Sequence, residues 1–293
     1  MQLLDGKLIS AKLKAELKRE VEDLKSCGKK VPHLAAVLVG NNSASETYVA
    51  SKVRSCEEVG FGSSLFRFPE DISEVDLLDQ IRALNENTTV DGFIVQLPLP
   101  PQISEKKVLK AIDPDKDVDG FHEVNIGRLA LGLPGFIPAT PKGIMEMLKF
   151  AEIDTAGKHC VVLGRSHIVG MPVSLLLMQN AYPGNCTVTI CHSKTENLRE
   201  ITKQADILIA AIGKANFVKA DMVKKGAVVI DVGINRIVDS TRKTGFRLVG
   251  DVDFDSVAPI SSFITPVPGG VGLMTIACLM QNTLEAVKRK QTN

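Results

Sequence analysis

The stretch Cys160–Leu176, CVVLGRSHIVGMPVSLL, constrains the fold of this chain more than any other. Cys160-Val161-Val162-Leu163 is a short apolar run closed by Gly164, the pattern of a strand buried on both faces. Gly170 follows, and Met171 to Leu177 reads as an apolar helix with Pro172 tolerated in its first turn. Strand, glycine turn and helix open a dinucleotide-binding unit. The glycines let backbone approach phosphate, and the helix N-terminus offers unpaired N–H groups and a partial positive charge. The spacing is G-R-S-x-x-x-G rather than G-x-G-x-x-G, so the turn alone leaves an ordinary strand-to-helix connection open as a second reading.

The next apolar segment adds to the first reading. Thr187-Val188-Thr189-Ile190-Cys191 alternates and is rich in β-branched residues, as strands are. In an NAD site an Asp or Glu near the end of this strand usually holds the ribose hydroxyls. Here the strand runs into His192-Ser193-Lys194, with no carboxylate. A hydroxyl and a cation there, with Arg165 on the first turn, suit a 2′-phosphate and favour NADP over NAD. A solvated strand end carrying Ser and Lys is the plainer alternative.

At 293 residues the chain is about twice the usual domain length. Its hydrophobic content of 44% supports full cores, and a formal net charge of +1 gives no electrostatic case for nucleic acid. The six cysteines form no C-x-x-C pair. They read as reduced thiols of a cytoplasmic protein rather than disulfides or a zinc site. No apolar stretch approaches the roughly 20 residues of a membrane span, and the N-terminus MQLLDGKLIS lacks the pattern of a secretory signal.

Along the first half, Ile9, Leu13, Leu17, Val21 and Leu24 share one face of a helix over 7–27. Leu34–Val39 is an apolar strand. Ser43 and Glu46 have capping-box spacing and predict a helix start, on which Tyr48 and Lys52 share a face. Strand, helix and strand follow at 61–68, 77–84 and 92–97, then a short helix at 108–112 and the acidic loop DPDKDVDGFH. The second half places strands at about 160–163, 187–191, 206–210, 227–232 and 262–265. Strands alternating with helices imply parallel sheets covered on both faces. The expected architecture is therefore two α/β domains, 1–139 and 140–272, the second of Rossmann type, with the helix 273–293 packing back on the first. A cleft between them is the default ligand site.

Candidate site residues sit at strand ends, where open α/β sheets bind ligands. They are the Tyr48/Lys52 pair after the strand that closes at Gly40, Gln96 at the end of 92–97, and Asp119 before Gly120. Each has a plainer role: solvated lysine, half-buried tyrosine, loop tie, turn residue. The run Pro266-Val267-Pro268-Gly269-Gly270-Val271-Gly272 gives a stiff, bare backbone that can approach a flat ligand or serve as a hinge. The five histidines share no metal-ligand spacing, and no G-x-S-x-G nucleophile elbow is present.

Taken together these segments resemble the bifunctional methylenetetrahydrofolate dehydrogenase/methenyltetrahydrofolate cyclohydrolases. The matching motifs are S-x-x-Y-V-x-x-K from Ser45 to Lys52, VQLPLP from Val95 to Pro100, KDVDGFH from Lys116 to His122 and TPKG from Thr140 to Gly143. In the second half they are GRS-x-IVG-x-P from Gly164 to Pro172, CHSKT from Cys191 to Thr195, VIDVGIN from Val229 to Asn235, GDVDF from Gly250 to Phe254 and PVPGGVG from Pro266 to Gly272. One position departs: the family usually has Pro after the last glycine, and this chain has Leu273, which leads us to expect slightly looser geometry there. The resemblance implies NADP-dependent oxidation of methylenetetrahydrofolate followed by hydrolysis of the methenyl product to 10-formyltetrahydrofolate. It implies that Lys52 handles the proton, Gln96 positions Lys52, Tyr48 packs on the folate rings and Asp119 holds the pterin's amino edge. Val95, Leu97, Pro268, Gly269, Gly270, Val271 and Gly272 would line the folate side. Gly164, Arg165, Ser166, Ser193 and Ile234 would hold the cofactor. A homodimer acting on tetrahydrofolate derivatives in the cytoplasm is the implied setting, with no metal. A shikimate-type NADP-dependent dehydrogenase with a similar two-domain plan is the main alternative; a non-catalytic nucleotide sensor, or an enzyme with one activity lost, are the others.

Overall fold

The computed structural model describes residues 1–242 and 245–292; Lys243, Thr244 and Asn293, the end of the expected last helix, lie outside the described residues. The strands are β1 (Gln2–Leu3), β2 (His33–Val39), β3 (Gly62–Phe68), β4 (Gly92–Val95), β5 (His159–Leu163), β6 (Thr187–Cys191), β7 (Ile207–Ala210), β8 (Val228–Asp231), β9 (Asn235–Val238), β10 (Phe246–Val249) and β11 (Phe263–Ile264). The helices are α1 (Gly6–Ser26), α2 (Ser43–Val59), α3 (Glu74–Glu86), α4 (Glu105–Ala111), α5 (Glu123–Ala130), α6 (Ala139–Phe150), α7 (Gly170–Met178), α8 (Leu198–Thr202), α9 (Phe254–Val257) and α10 (Val271–Thr292). The chain divides into two compact α/β units. One comprises Ala11–Ala139 and the chain from Ile276 onward; the other comprises Met1–Ser10 and Thr140–Thr275.

The first of these units is built on a three-stranded parallel sheet in the order β3-β2-β4. Its central strand is apolar from Leu34 to Val39 because both faces are covered. Leu34, Ala36 and Leu38 point into one core with Val49, Cys56 and Leu279. Ala35, Val37 and Val39 point into another with Leu77, Ile81 and Val108. Helix α10 belongs here from Ile276 on, and Asn282 Nδ2 donates to the carbonyls of Val118 (2.8 Å) and Ile137 (2.9 Å).

The second unit holds a six-stranded parallel sheet in the order β1-β11-β8-β7-β5-β6. Val161, Leu163, Leu208 and Val229 share its core. The first ten residues, read from sequence with 1–139, join this unit because Gln2 and Leu3 pair in parallel with Phe263 and Ile264. A strand of two residues carries no periodicity to read.

Three local features differ from expectation. The start of α2 is capped by Asn42 rather than by a Ser43/Glu46 box: Asn42 Oδ1 accepts from Ser45 N at 3.1 Å, and Glu46 pairs instead with Arg67 at 3.1 Å. Helix α5 follows the acidic loop, started by His122, whose Nδ1 accepts from Val124 N at 3.1 Å. Strands β9 and β10 form an antiparallel hairpin that the α/β alternation does not predict.

Both units share a side-chain clip at the starts of their strands. His33 opens β2, donates its backbone N–H to Asp91 Oδ2 (3.0 Å) and sets its ring against Ser64 Oγ (2.9 Å). His159 opens β5, donates to Asp206 Oδ2 (3.0 Å) and sets its ring against Thr189 Oγ1 (2.9 Å). A lysine covers each carboxylate, Lys30 at 2.6 Å and Lys224 at 2.7 Å.

Candidate active site

In each unit the chain runs from one strand to a neighbour on one side and then crosses to the other side. β2 is flanked by β3 and β4, and β5 by β6 and β7. Such a reversal leaves a crevice outside the carboxyl ends of the strands, where α/β sheets bind ligands. Gln96 follows β4, and Gly164–Ser166 and Ser193 follow β5 and β6, at these ends; Ile234 and Pro268–Gly272 follow β8 and β11 instead.

In the three-stranded unit, α2 follows β2 and turns the stripe Ser45, Val49, Lys52, Cys56 and Val59 inward, all buried. Lys52 thus occupies a core position of the helix and is only 6% exposed. A lysine so placed needs partners, since an unpaired buried charge is costly. Its Nζ donates to Gln96 Oε1 at 3.2 Å and lies 6.0 Å from the centre of the Tyr48 ring. Gln96 prolongs β4, its N–H donating to Val37 O at 2.9 Å, and its Nε2 donates to Leu97 O at 2.7 Å. That second bond leaves Oε1 for the lysine. Burial lowers the pKa of Lys52 from the ordinary lysine value, with the Asp119 carboxylate pulling the other way. Burial raises that of Asp119, with Lys52 opposing. Burial and then Asp119 raise that of Tyr48, so the phenol stays protonated.

Asp119 sits in a strapped loop. Asp117, two residues earlier, is buried and accepts from His122 N (2.8 Å) and Asn125 Nδ2 (3.0 Å). Burial pushes its pKa up to about 7. Gly120 is left-handed (φ +76°), and a Cβ there would meet Pro138 N at 2.6 Å, so only glycine permits this turn. Val95 and Leu97 differ in placement: the Val95 side chain is buried in a core shared with Leu77 and Ile81, while Leu97 is half-buried beside Gln96.

In the six-stranded unit a cavity of about 300 Å³ opens at the ends of β5, β6 and β7. Gly164, Arg165 and Ser166 line it from the first, His192 and Ser193 from the second, Ala211, Ile212, Lys214 and Phe217 from the third. Gly164 has φ +115°, and a Cβ there would collide with the Ala211 carbonyl oxygen. The bare backbone at the crevice is therefore a steric requirement. Ser166 Oγ caps α7, accepting from Val169 N (3.2 Å) and Gly170 N (3.4 Å). Ile234 is 48% exposed and does not line this cavity; Pro268 lines a separate one of about 640 Å³ with Asp231, Phe246 and Phe254. Gly269 is left-handed (φ +108°), and Gly270 is packed so closely on Gly6 that a Cβ on Gly6 would strike the Gly270 oxygen. Val271 and Gly272 begin α10. At the departing position, Leu273 N donates to Gly270 O at 3.2 Å, a bond that proline could not make, so the turn is tied rather than loosened. Sequence reading passed over Ile212, Lys214 and Phe217, which carry no motif of their own.

A glycine-turn crevice on a parallel sheet in one unit, and a buried lysine at the strand ends of the other, define a two-unit α/β enzyme of the dinucleotide-binding class. Residues 4–119 match the model of the tetrahydrofolate dehydrogenase/cyclohydrolase catalytic domain, and residues 138–291 match that of the NAD(P)-binding domain of the same family. The chain belongs to the tetrahydrofolate dehydrogenase/cyclohydrolase family. It is 61% identical to the bifunctional protein FolD of Cytophaga hutchinsonii over 290 residues, covering 99% of this chain and 100% of that one. The bifunctional FolD of Campylobacter jejuni superposes with a TM-score of 0.92 at 49% identity, over 99% of both chains. The dehydrogenase-cyclohydrolase of Trypanosoma brucei, solved with NADP cofactor and inhibitor, superposes at 0.93 with 35% identity, over 99% of this chain and 98% of that one. Membership of this family sets aside the shikimate-type reading. Among the described residues no His, Cys, Asp and Glu cluster could hold a metal, all six cysteines are free thiols, and no helix is long and apolar enough to cross a membrane.

Proposed function

We propose that this chain is a bifunctional folate enzyme that oxidises 5,10-methylenetetrahydrofolate with NADP and hydrolyses the methenyl product to 10-formyltetrahydrofolate. The observation that carries the assignment of roles is Lys52, buried on α2, bonded to Gln96 and set beside the Tyr48 ring. NADP, when bound, accepts the hydride. The crevice at Gly164 fits such a group, because no side chain can stand between its backbone and a phosphate, and Arg165 and Ser193 line the same cavity. Arg165 and Ser193 are assigned to the 2′-phosphate and Ser166 to the helix cap beside it; Ile234 is kept as a cofactor contact on the resemblance alone.

Hydride loss leaves a methenyl cation stabilised by the folate nitrogens, so this step needs orientation rather than a strong base. Tyr48 supplies a flat wall for the rings, and the Asp119 carboxylate accepts the paired N–H bonds of the pterin's amino edge. In the second step water adds to the methenyl carbon and gives up one proton, leaving a neutral hydroxyl adduct; the hydroxyl proton is then passed to the ring nitrogen as the C–N bond breaks and the formyl C=O forms, so that one proton is released overall. Lys52 serves both transfers, since burial brings its pKa towards the working range. Gln96 fixes the amine, with Leu97 as the anchor of the Gln96 amide. Pro268 to Gly272 are kept as folate contacts on the resemblance alone, and Val95 acts through the core behind Gln96. The working form is assigned as a cytoplasmic homodimer, on the resemblance. Assay of methylenetetrahydrofolate with NADP or NAD, following NADPH and the methenyl product separately, tests the reading; no turnover with either dinucleotide would refute it.

A further inference from the structure

Behind the loop that walls the cofactor-side cavity lie two buried carboxylates, Asp251 and Asp231. Asp251, in the GDVDF motif, is 0% exposed. Its Oδ2 accepts from Ile212 N (2.7 Å) and Gly213 N (2.9 Å), and its Oδ1 from Lys214 N (2.7 Å) and Asn235 Nδ2 (2.9 Å). Three successive backbone N–H groups converging on one anion form a nest, an arrangement that binds anions wherever it occurs. The nest is the loop that leaves β7, and Ile212 and Lys214 are walls of the cavity. Asp251 does not itself line that cavity. It is held in turn by Asp231 at the end of β8, whose carboxylate accepts from Gly233 N, Asp251 N and Val252 N, each at 2.9 Å. Backbone N–H groups, joined by the Asn235 amide at Asp251, face the two carboxylates.

We infer that Asp251 is a positioning residue for the dinucleotide, fixing the loop Ile212–Lys214 so that its outer face completes the binding wall opposite Arg165 and Ser193. The inference rests on the assignment of the cavity to NADP. At its centre Gly213 is left-handed (φ +66°), with nothing within 4 Å of where its side chain would be, so the nest contact is made by the backbone of this turn. Without an anion inside the nest, three N–H groups would repel one another and the loop would reorganise. The carboxylate also fills a nest that a phosphate of the ligand would otherwise enter, which leaves the Gly164 turn as the phosphate site.

Asp251→Asn keeps the shape but replaces the anion with an amide, turning one acceptor into a donor that faces N–H groups. The tests are NADP titration and steady-state kinetics. NADP affinity should fall roughly tenfold or more, as misplacement of a binding wall can cost, while KM for methylenetetrahydrofolate shifts by less than twofold. Hydrolysis of methenyltetrahydrofolate needs no dinucleotide and should fall far less than oxidation. Gly213→Ala disturbs the same loop at its left-handed residue without touching the carboxylate; it should reproduce the NADP effect, and it decides the matter if Asp251→Asn does not fold. Unchanged NADP affinity in a folded variant, or parallel loss of both activities with a lowered Tm, would overturn the inference. A wild-type protein that neither binds nor reduces NADP would instead refute the functional assignment beneath it.

Discussion

Replacing Lys52 with methionine separates the two activities, and the structure sets the size of the effect. The ammonium is bonded to Gln96 Oε1 at 3.2 Å and is 6.0 Å from the Tyr48 ring centre. Burial lowers its pKa from the ordinary 10.5, and Asp119 only partly opposes this. The folded protein therefore binds this proton less tightly than the unfolded chain does. Between the lowered value and 10.5 the unfolded state carries more protons, so stability rises with pH, and below that window the charged lysine is a standing penalty. Lys52→Met removes that penalty and fills much the same volume. It forfeits one hydrogen bond from a charged donor, about 1.5–3 kcal/mol. The two changes oppose each other, so Tm at neutral pH should move by only a few degrees, about what 1 kcal/mol produces.

The catalytic loss is larger. Positioned proton transfer contributes about 10²–10⁴-fold, which is about 2.7–5.5 kcal/mol at 1.36 kcal/mol per decade. Cyclohydrolase activity should fall by that factor, and dehydrogenase activity by much less, since hydride transfer needs no proton from the amine. In a two-wavelength assay NADPH still forms and methenyltetrahydrofolate accumulates. Equal loss of both activities in a folded variant would make Lys52 a positioning group instead. Full cyclohydrolase activity would mean that its burial serves packing and not chemistry.

Four other outcomes follow from the same geometry. Gln96→Leu removes the acceptor that favours the charged lysine, so the limb of the cyclohydrolase pH profile governed by Lys52 should move to lower pH; an unmoved limb would uncouple the pair. Asp119→Ala should raise KM for the folate in both reactions, and an unchanged KM in both would remove Asp119 from the pterin pocket. Arg165→Ala should lower the preference for NADP over NAD by about ten- to hundredfold, as a charged hydrogen bond would; an unchanged ratio of efficiencies would refute its contact with the 2′-phosphate. Asp117 has a folded pKa raised to about 7, so it contributes stability below the unfolded value of 3.8 that is lost as pH rises towards 7. The stability of Asp117→Asn relative to wild type should accordingly increase between about pH 4 and 7, and a flat difference in Tm across that range would contradict the shift.

The strands were legible because a parallel sheet covered on both faces needs unbroken apolar runs, and Leu34–Val39 and Cys160–Leu163 are such runs. What escaped was too short or too local for periodicity: β1 has two residues, β9 alternates over only four, and α5 owes its start to the His122 side chain. Lys52 was legible as one turn from Tyr48, but its burial comes from Val49, Cys56 and Val59 sharing its stripe against the core. The role of Asp251 could not be read from spacing, since its donors Ile212, Gly213 and Lys214 lie 37 to 39 residues earlier in the chain.

The shared topology gives a reason for how the chemistry is divided. Each unit has its strand starts locked by the same device, His33 with Asp91 in one and His159 with Asp206 in the other. Each leaves the opposite, carboxyl ends of its strands for chemistry, at the point where the strand order reverses. What differs is what the chain offers at that point. After β5 the chain offers Gly164, proposed above as the phosphate turn, whose lack of a side chain leaves the backbone bare but supplies no proton. After β2 the chain also turns on a glycine, Gly40, but the helix that follows carries Lys52 inward, where desolvation tunes an amine. Hydride transfer asks for orientation and hydrolysis for a tuned base, and these demands conflict at a single strand end: the glycine turn that admits phosphate is open to water, and the water exclusion that lowers a lysine's pKa would keep phosphate out. Two copies of one crevice, each turning on a glycine but only one followed by a helix that turns a lysine inward, meet both demands.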